Sequence, residues 1–264
     1  METDAQYHAK SKSGEYLSYH MLKKFVECPK VYHDIINGNG PKDSDSKAFA
    51  FGRAAHKLIL EGFEAFTECY TCNAPVNPST GKPYGVGTKK FEAWRETEHR
   101  EYVNYDDFDR LIAMGKAVET HPIAANLLTG GDPEFILRGT YCGIKCQARA
   151  DYLQWGENET ALIDLKTTSD MRWFEHDAKR FGYIEQLAFY REMVRVGCEM
   201  TADWPVDVAL VAVESVYPHR VGVWKISQTA LDEARVDNEA AMKHFIQCRN
   251  NDTWETGYED MRVM

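Results

Sequence analysis

"EFILRGTYCGIKCQARADYLQWGENETALIDLK", residues 134–166, is the stretch on which the fold turns. Its residues alternate in twos, with turn signals at Cys142-Gly143 and at "GENE", so it reads as three antiparallel strands in a meander. On the third strand Asp164 and Lys166 fall on one face while Ile163 and Leu165 fall on the other. The apolar pair packs, so the charged pair must look into a cleft. On the second strand Asp151 shares a face with Lys145, Gln147 and Arg149, and a neighbouring strand can bring it beside Asp164. Two carboxylates held close together repel, and a bound divalent cation relieves that repulsion. Oxygen ligands favour Mg²⁺, with Mn²⁺ as a substitute, over zinc. Lys166 would then orient or help deprotonate an attacking water, or stabilise charge on a phosphoryl group. The plain alternative is an Asp–Lys ion pair on a solvated strand face, since a motif this short recurs by accident.

Working outward, "LSYHMLKKFVECPKVYHDII" (residues 17–36) has apolar positions at helical spacing, with Pro29 opening a second short helix. "GNGPKDSDS" (38–46) is a loop. In "KAFAFGRAAHKLILEGF" (47–63), Gly52, Ala55, His56 and Ile59 share one helical face, so His56 points where that helix packs closely. Residues 71–87, rich in Pro, Gly, Asn and Thr, read as a long surface loop, and helices are expected over roughly 88–102 and 106–119, before Pro122. After the meander, "FEHDAKRFGYIEQLAFYREMVRVG" (174–197) returns to helical period. "VDVALVAVE" (206–214) suits a buried strand, "VGVWKI" (221–226) another, and a helix over about 228–248 completes the order α, βββ, α, β, β, α.

At 264 residues and 44% hydrophobic, the chain suffices for one domain: a mainly helical part over 17–125 and a sheet-containing part over 132–248. It contains no apolar run near the ~20 residues a membrane span needs, and its polar start lacks a signal-peptide core, so a soluble cytoplasmic protein is expected. Seven cysteines, an odd number scattered along the chain, suit a reducing compartment. Cys69-x-x-Cys72 and Cys142-x-x-x-Cys146 are not paired at zinc-ribbon spacing, and no zinc is expected. A net charge of -10 argues against coating nucleic acid by bulk electrostatics, so any polyanion must meet a local basic patch or metal ions held by the acids.

An aspartate followed thirteen residues later by Asp-x-Lys, on strands of one meander that lead into a helix, resembles the arrangement of the PD-(D/E)XK nuclease superfamily. Asp151 and Asp164–Lys166 are the matching residues. "FGRAAHKLIL" resembles the G-x-x-x-H helix of its RecB, AddB, Cas4 and RecE branch, with Gly52 and His56 in place. "YIEQLAFY" contains the Q-x-x-x-Y signature of the same branch as Gln186 and Tyr190, one helical turn apart. From "LKKFVECPKVY" to "YIEQLAFYREM" the chain looks like a phage RecE-type exonuclease domain.

That resemblance implies an α/β fold, a PD-(D/E)XK core with a mixed central sheet flanked by helices and an N-terminal helical elaboration. It implies metal held by His56, Asp151, Asp164 and the Leu165 carbonyl, with Lys166 assisting the hydrolytic water. Gln186 lies near the site and Tyr190 beside it, although with Tyr183 both also fit an aromatic stripe packing on the sheet. Glu134, where related nucleases often carry a glutamate, is either an accessory acid or an edge residue without a role. Arg149 and Lys145 are candidate phosphate contacts or ordinary solvated charges.

The implied activity is Mg²⁺-dependent degradation of one strand of duplex DNA from its 5′ end, in phage-type recombination. The implied partners are DNA ends, copies of the same chain in a ring such as a tetramer, and a single-strand annealing protein. Cas4 and AddB relatives can hold an iron–sulfur cluster on one early cysteine and a C-terminal trio. Here Cys28 occupies the early place but only Cys198 and Cys248 follow the nuclease motifs, so no cluster is expected. A Cas4-like or endonucleolytic enzyme, or a non-catalytic DNA-binding module of the same fold, are the other readings.

Overall fold

The computed structural model describes residues 2–41 and 46–263. Helix α1 (Asp4–Lys12) is capped by Thr3 and Gln6 in a reciprocal capping box. Helix α2 (Tyr19–Glu27) starts at the Ser18 cap and α3 (Pro29–Ile36) at Pro29, as a proline in the first turn allows. The long α4 (Lys47–Cys69) starts at the Ser46 cap and is kinked at Gly62, whose φ is 89°. Two short strands, β1 (Tyr70–Thr71) and β2 (Glu101–Tyr102), pair in parallel around α5 (Lys89–Arg95). Helices α6 (Tyr105–Thr120) and α7 (Pro122–Leu127) lead to the main sheet.

The main sheet runs β3 (Asp132–Tyr141), β4 (Ile144–Trp155), β5 (Thr160–Thr168), β6 (Val206–Glu214) and β7 (Val221–Lys225), in that spatial order. The first three are an antiparallel meander, β6 lies parallel to β5, and β7 returns antiparallel. The crossover from β5 to β6 passes through a 3₁₀ turn (Met171–Trp173), α8 (Phe174–Arg180) and α9 (Tyr183–Gly197); α10 (Gln228–Asn251) follows the last strand. This is the mixed α/β sheet flanked by helices that the sequence implied.

Each face of the sheet has its own core. Leu137, Ala148, Leu162, Leu210 and Ala212 pack with α2, α9 and α10 through residues such as Phe25, Leu187, Phe189 and Phe245. On the opposite face Ile163, Leu165, Val211 and Val213 pack with α4 and α6 through Ala55, Leu58, Leu111 and Met114. Burial on both sides explains why "VDVALVAVE" is almost uninterrupted apolar sequence.

The ladder between β4 and β5 covers only Tyr152–Trp155 against Thr160–Ile163. Past that point the strands part. The freed edge of β4 takes Leu17 instead: its N–H donates to the Lys145 carbonyl (2.9 Å) and its carbonyl accepts from the Gln147 N–H (3.0 Å). Strand β5 stays paired with β6 as far as Thr168. The sheet therefore has a fork, and Asp151 and Asp164 sit at its base.

Several boundaries differ from the sequence expectation. Helix α1 has so little amphipathic pattern that periodicity misses it. The helix expected over 88–102 ends at Arg95, because its guanidinium takes the carbonyls of Glu98 and Arg100 and folds the chain back into β2. Pro122 opens a helix rather than only ending the previous one. The helical run 174–197 breaks at Gly182, whose left-handed φ of 71° turns the chain between α8 and α9. Of the loop expected over 38–46, residues 42–45 lie outside those described. Strict alternation along β4 also fails: Ala148 and Ala150 enter one core, Tyr152 the other, and Leu153 the first again. The change of face coincides with the fork.

Candidate active site

The fork lets side chains from both helical layers reach one point. From the α4 side comes His56, whose Nδ1 lies 3.5 Å from Asp151 Oδ2. From β3 comes Glu134, held at a φ of 50° that is unusual for a residue with a side chain. One potential ligand atom each from His56, Glu134 and Asp151 falls within 4.8 Å of the other two. From β5 come Asp164 and Lys166, with Lys166 Nζ 2.5 Å from Asp164 Oδ2. The Leu165 N–H between them donates to Asp151 Oδ2 at 2.8 Å, so a carboxylate takes the bond a strand partner would have made.

The electrostatics are those of acids crowded into a poorly solvated place. Burial pushes the Asp164 carboxyl up to about 6 and the neighbouring Asp151 reinforces the shift, against Lys166. Asp151 is raised as well, again chiefly by burial. Burial also works against the Lys166 ammonium, but Asp164 and Asp151 outweigh it and hold the group above its ordinary value. His56 is pushed down to about 4 by burial and by Lys166, so its imidazole is neutral at physiological pH, the form that ligates metal. A backbone hydrogen bond at Leu165 works the other way on His56, the sense of a carbonyl accepting from the ring.

Asp164 is 1% exposed, yet neither carboxylate oxygen has a hydrogen-bond donor in good geometry among the described residues. Its charge partner is the Lys166 ammonium, 2.5 Å from Oδ2. A buried carboxylate so placed is costly unless a cation completes its shell. Three carboxylates, a neutral imidazole and a nearby carbonyl suit a hard divalent cation.

The other sequence candidates are distributed around this centre. Gln186 and Tyr190 on α9 hydrogen-bond to each other, and the Tyr190 hydroxyl is raised by burial with Asp151 and Asp164 adding to the shift. Arg149 Nε pairs with Glu134 Oε2 at 2.8 Å, and its guanidinium lies 5.3 Å from the Tyr7 ring centroid. Lys145 is exposed at the hairpin end of β4, six residues and about 20 Å of strand away from Asp151, and is not brought to the centre. Gly52 faces β5, where a Cβ would sit 3.6 Å from Thr167 Oγ1.

Two neighbours were not assigned from sequence. Tyr7 lies on the unforeseen α1, which docks where its carbonyl accepts from Gln147 Nε2 at 2.9 Å and where Glu2 meets Arg138. Tyr183 lies with its ring centroid 5.0 Å from Lys166 Nζ. Its spacing to Gln186 and Tyr190 put it on the right helical face, but that signal is the same for packing.

The profile of a PDDEXK-like domain of unknown function, DUF3799, matches residues 18–262. The chain belongs to this PDDEXK-like family. A crystal structure from Eubacterium rectale, of a protein provisionally named an exonuclease, superimposes with a TM-score of 0.67 over 100% of this chain and 94% of that one, at 16% identity. At that identity the likeness is one of fold. A second structure, of the protein SSO0001, shares 14% identity over 50% of this chain and 59% of its own, and its TM-score of 0.28 is too low to bear on the fold. No curated protein matches the sequence. No helix among the described residues is long and apolar enough to cross a membrane.

Proposed function

We propose that this PDDEXK-like protein is a cytoplasmic, Mg²⁺-dependent exodeoxyribonuclease that digests one strand of duplex DNA from its 5′ end. The observation that carries this reading is the convergence at the fork: half-buried His56, Glu134 and Asp151, with one candidate ligand atom of each within 4.8 Å of the others, beside the Asp164–Lys166 pair. His56, Glu134, Asp151, Asp164 and the Leu165 carbonyl would hold the metal, which when bound supplies Lewis acidity and a more acidic water. Lys166 holds its proton and offers N–H donors to the attacking water or to a non-bridging phosphate oxygen. Arg149 neutralises Glu134 and can share its remaining donors with a phosphate. Gln186, beside Tyr190, would contact the substrate backbone.

The 5′ polarity, the role in recombination by single-strand annealing, the annealing partner and a ring of copies around the DNA are supported by the RecE-type resemblance. A linear duplex labelled separately at the 5′ end and at the 3′ end of a strand and incubated with Mg²⁺ tests the reading, with 5′ label released before 3′ label. Release of 5′ label as mononucleotide or short product is expected, with closed circular duplex left intact. Cutting of the closed circle would instead favour an endonuclease, and binding without cleavage a non-catalytic DNA-binding module.

A further inference from the structure

We infer that Tyr183 is a positioning residue for Lys166, its ring face holding the ammonium where the scissile phosphate must lie. The inference rests on the nuclease reading above. The Lys166 ammonium lies 2.5 Å from the Asp164 carboxylate and 5.0 Å from the centroid of the Tyr183 ring. Asp164 alone is a poor anchor for a catalytic lysine, because the same carboxylate is needed as a metal ligand. Lysine is also a point charge on a flexible four-carbon stem, with no planar fork to fix its direction. An aromatic face attracts the cation through its quadrupole and makes no directed hydrogen bond. The N–H donors of Lys166 that Asp164 does not take are thereby left for water and phosphate oxygen.

The ring is itself held firmly. Tyr183 opens α9 directly after the left-handed Gly182, between the rings of Phe174 (6.3 Å) and Phe181 (6.0 Å). Helix α2 reaches across to fix this turn at two successive carbonyls. Tyr19 Oη donates to the Gly182 carbonyl at 3.0 Å, and Lys23 Nζ donates to the Phe181 carbonyl at 2.8 Å. Helix α9 therefore carries two kinds of site residue: Gln186 and Tyr190 toward the carboxylates, and Tyr183 toward the lysine.

The test compares Tyr183→Phe, which keeps the ring face, with Tyr183→Leu, which keeps apolar bulk without it. Steady-state cleavage of a short linear duplex with Mg²⁺ should leave Tyr183→Phe within about threefold of the parent. Tyr183→Leu should lose kcat by about 5- to 30-fold with KM unchanged, the range expected of a desolvated cation–π contact. In a Lys166→Ala background Tyr183→Leu should have no further effect, because the group it positions is gone. A second readout is independent of activity: the Lys166 ε-methylene NMR signal should be shifted by ring current in the parent and in Tyr183→Phe, and unshifted in Tyr183→Leu. A Leu variant with the parent's kcat, or a Phe variant as impaired as Leu, overturns the inference. A parent protein inactive on all DNA would remove the nuclease reading and the positioning role together; an active parent matched by its Leu variant would remove the positioning role alone.

Discussion

At the scale of single residues, the site is a place where acids are kept together against their preference. Lys166→Ala should lower digestion of linear duplex by about 100-fold or more, since it deletes a charge-stabilising donor at a low-dielectric site. Circular dichroism of that variant should match the parent. Asp164→Asn should also be inactive, but its thermal stability should move the other way. Burial raises the Asp164 carboxyl to about 6, so at pH 7.5 the folded state carries an ionised group that it disfavours. Removing that charge in the metal-free protein is expected to raise Tm by about 2–6 °C, read by differential scanning fluorimetry. Mg²⁺ or Mn²⁺ should raise the parent's Tm and leave Asp164→Asn and His56→Ala nearly unmoved, as expected of a ligand that binds only the folded state.

At the scale of elements, two glycines separate what the fold demands from what a motif suggests. Gly182 has a left-handed φ, and a Cβ there would fall 2.9 Å from Tyr19 Oη. Gly182→Ala should therefore destabilise the protein by about 1–3 kcal/mol in urea denaturation, through strain at the start of α9. Gly52 lies inside α4 and faces Thr167 at ordinary contact distance. Gly52→Ala should leave stability unchanged or raise it by up to about 1 kcal/mol, through helix propensity. Stability kept but digestion lost in Gly52→Ala would mark the glycine as room for substrate. Asp-x-Lys and G-x-x-x-H were legible because strand and helix periods place residues on faces. The meeting of the two faces was not, since it depends on β4 leaving β5 after a four-residue ladder. Glu134, an edge acid by sequence, stands opposite Asp151 in the β3–β4 register, between the pairs Pro133–Tyr152 and Phe135–Ala150, and so lies within ligand reach of Asp151 and His56.

For the whole molecule, charge is the quantity to explain. A chain with net charge -10 would have to meet DNA through a local site, and the proposed ring would gather scattered basic residues on an inner wall. Light scattering at micromolar concentration should give a multiple of the 30.2 kDa chain mass; a processive monomer would remove the ring. Acid stability has a separate anchor at the far end of β6. Glu214 is buried, and its hydrogen bond to Arg220 holds its carboxyl down to about 2. A folded-state value below the unfolded one adds stability in full above about pH 4.5, and that stability is lost as pH falls toward 2. Arg220→Ala should thus lower stability by about 1–3 kcal/mol at pH 7, with the gap to the parent narrowing below about pH 4.5 and closing only as pH approaches 2 in thermal melts.

The sequence by itself determined the elements whose periods are strong. The 134–166 meander, the buried β6 strand, the Pro29 helix start and the two faces of β5 follow from local alternation and capping, which depend on near neighbours in the chain. It also marked Asp151, Asp164 and Lys166 as charges on strand faces with no place in an apolar core, and His56 as a histidine on a helix's packing face. Only the tertiary structure decided where β4 and β5 part, that α1 covers Arg149 with Tyr7, and that Tyr183 lies over Lys166 rather than merely packing. Those outcomes depend on contacts between residues far apart in sequence, and no local period encodes them.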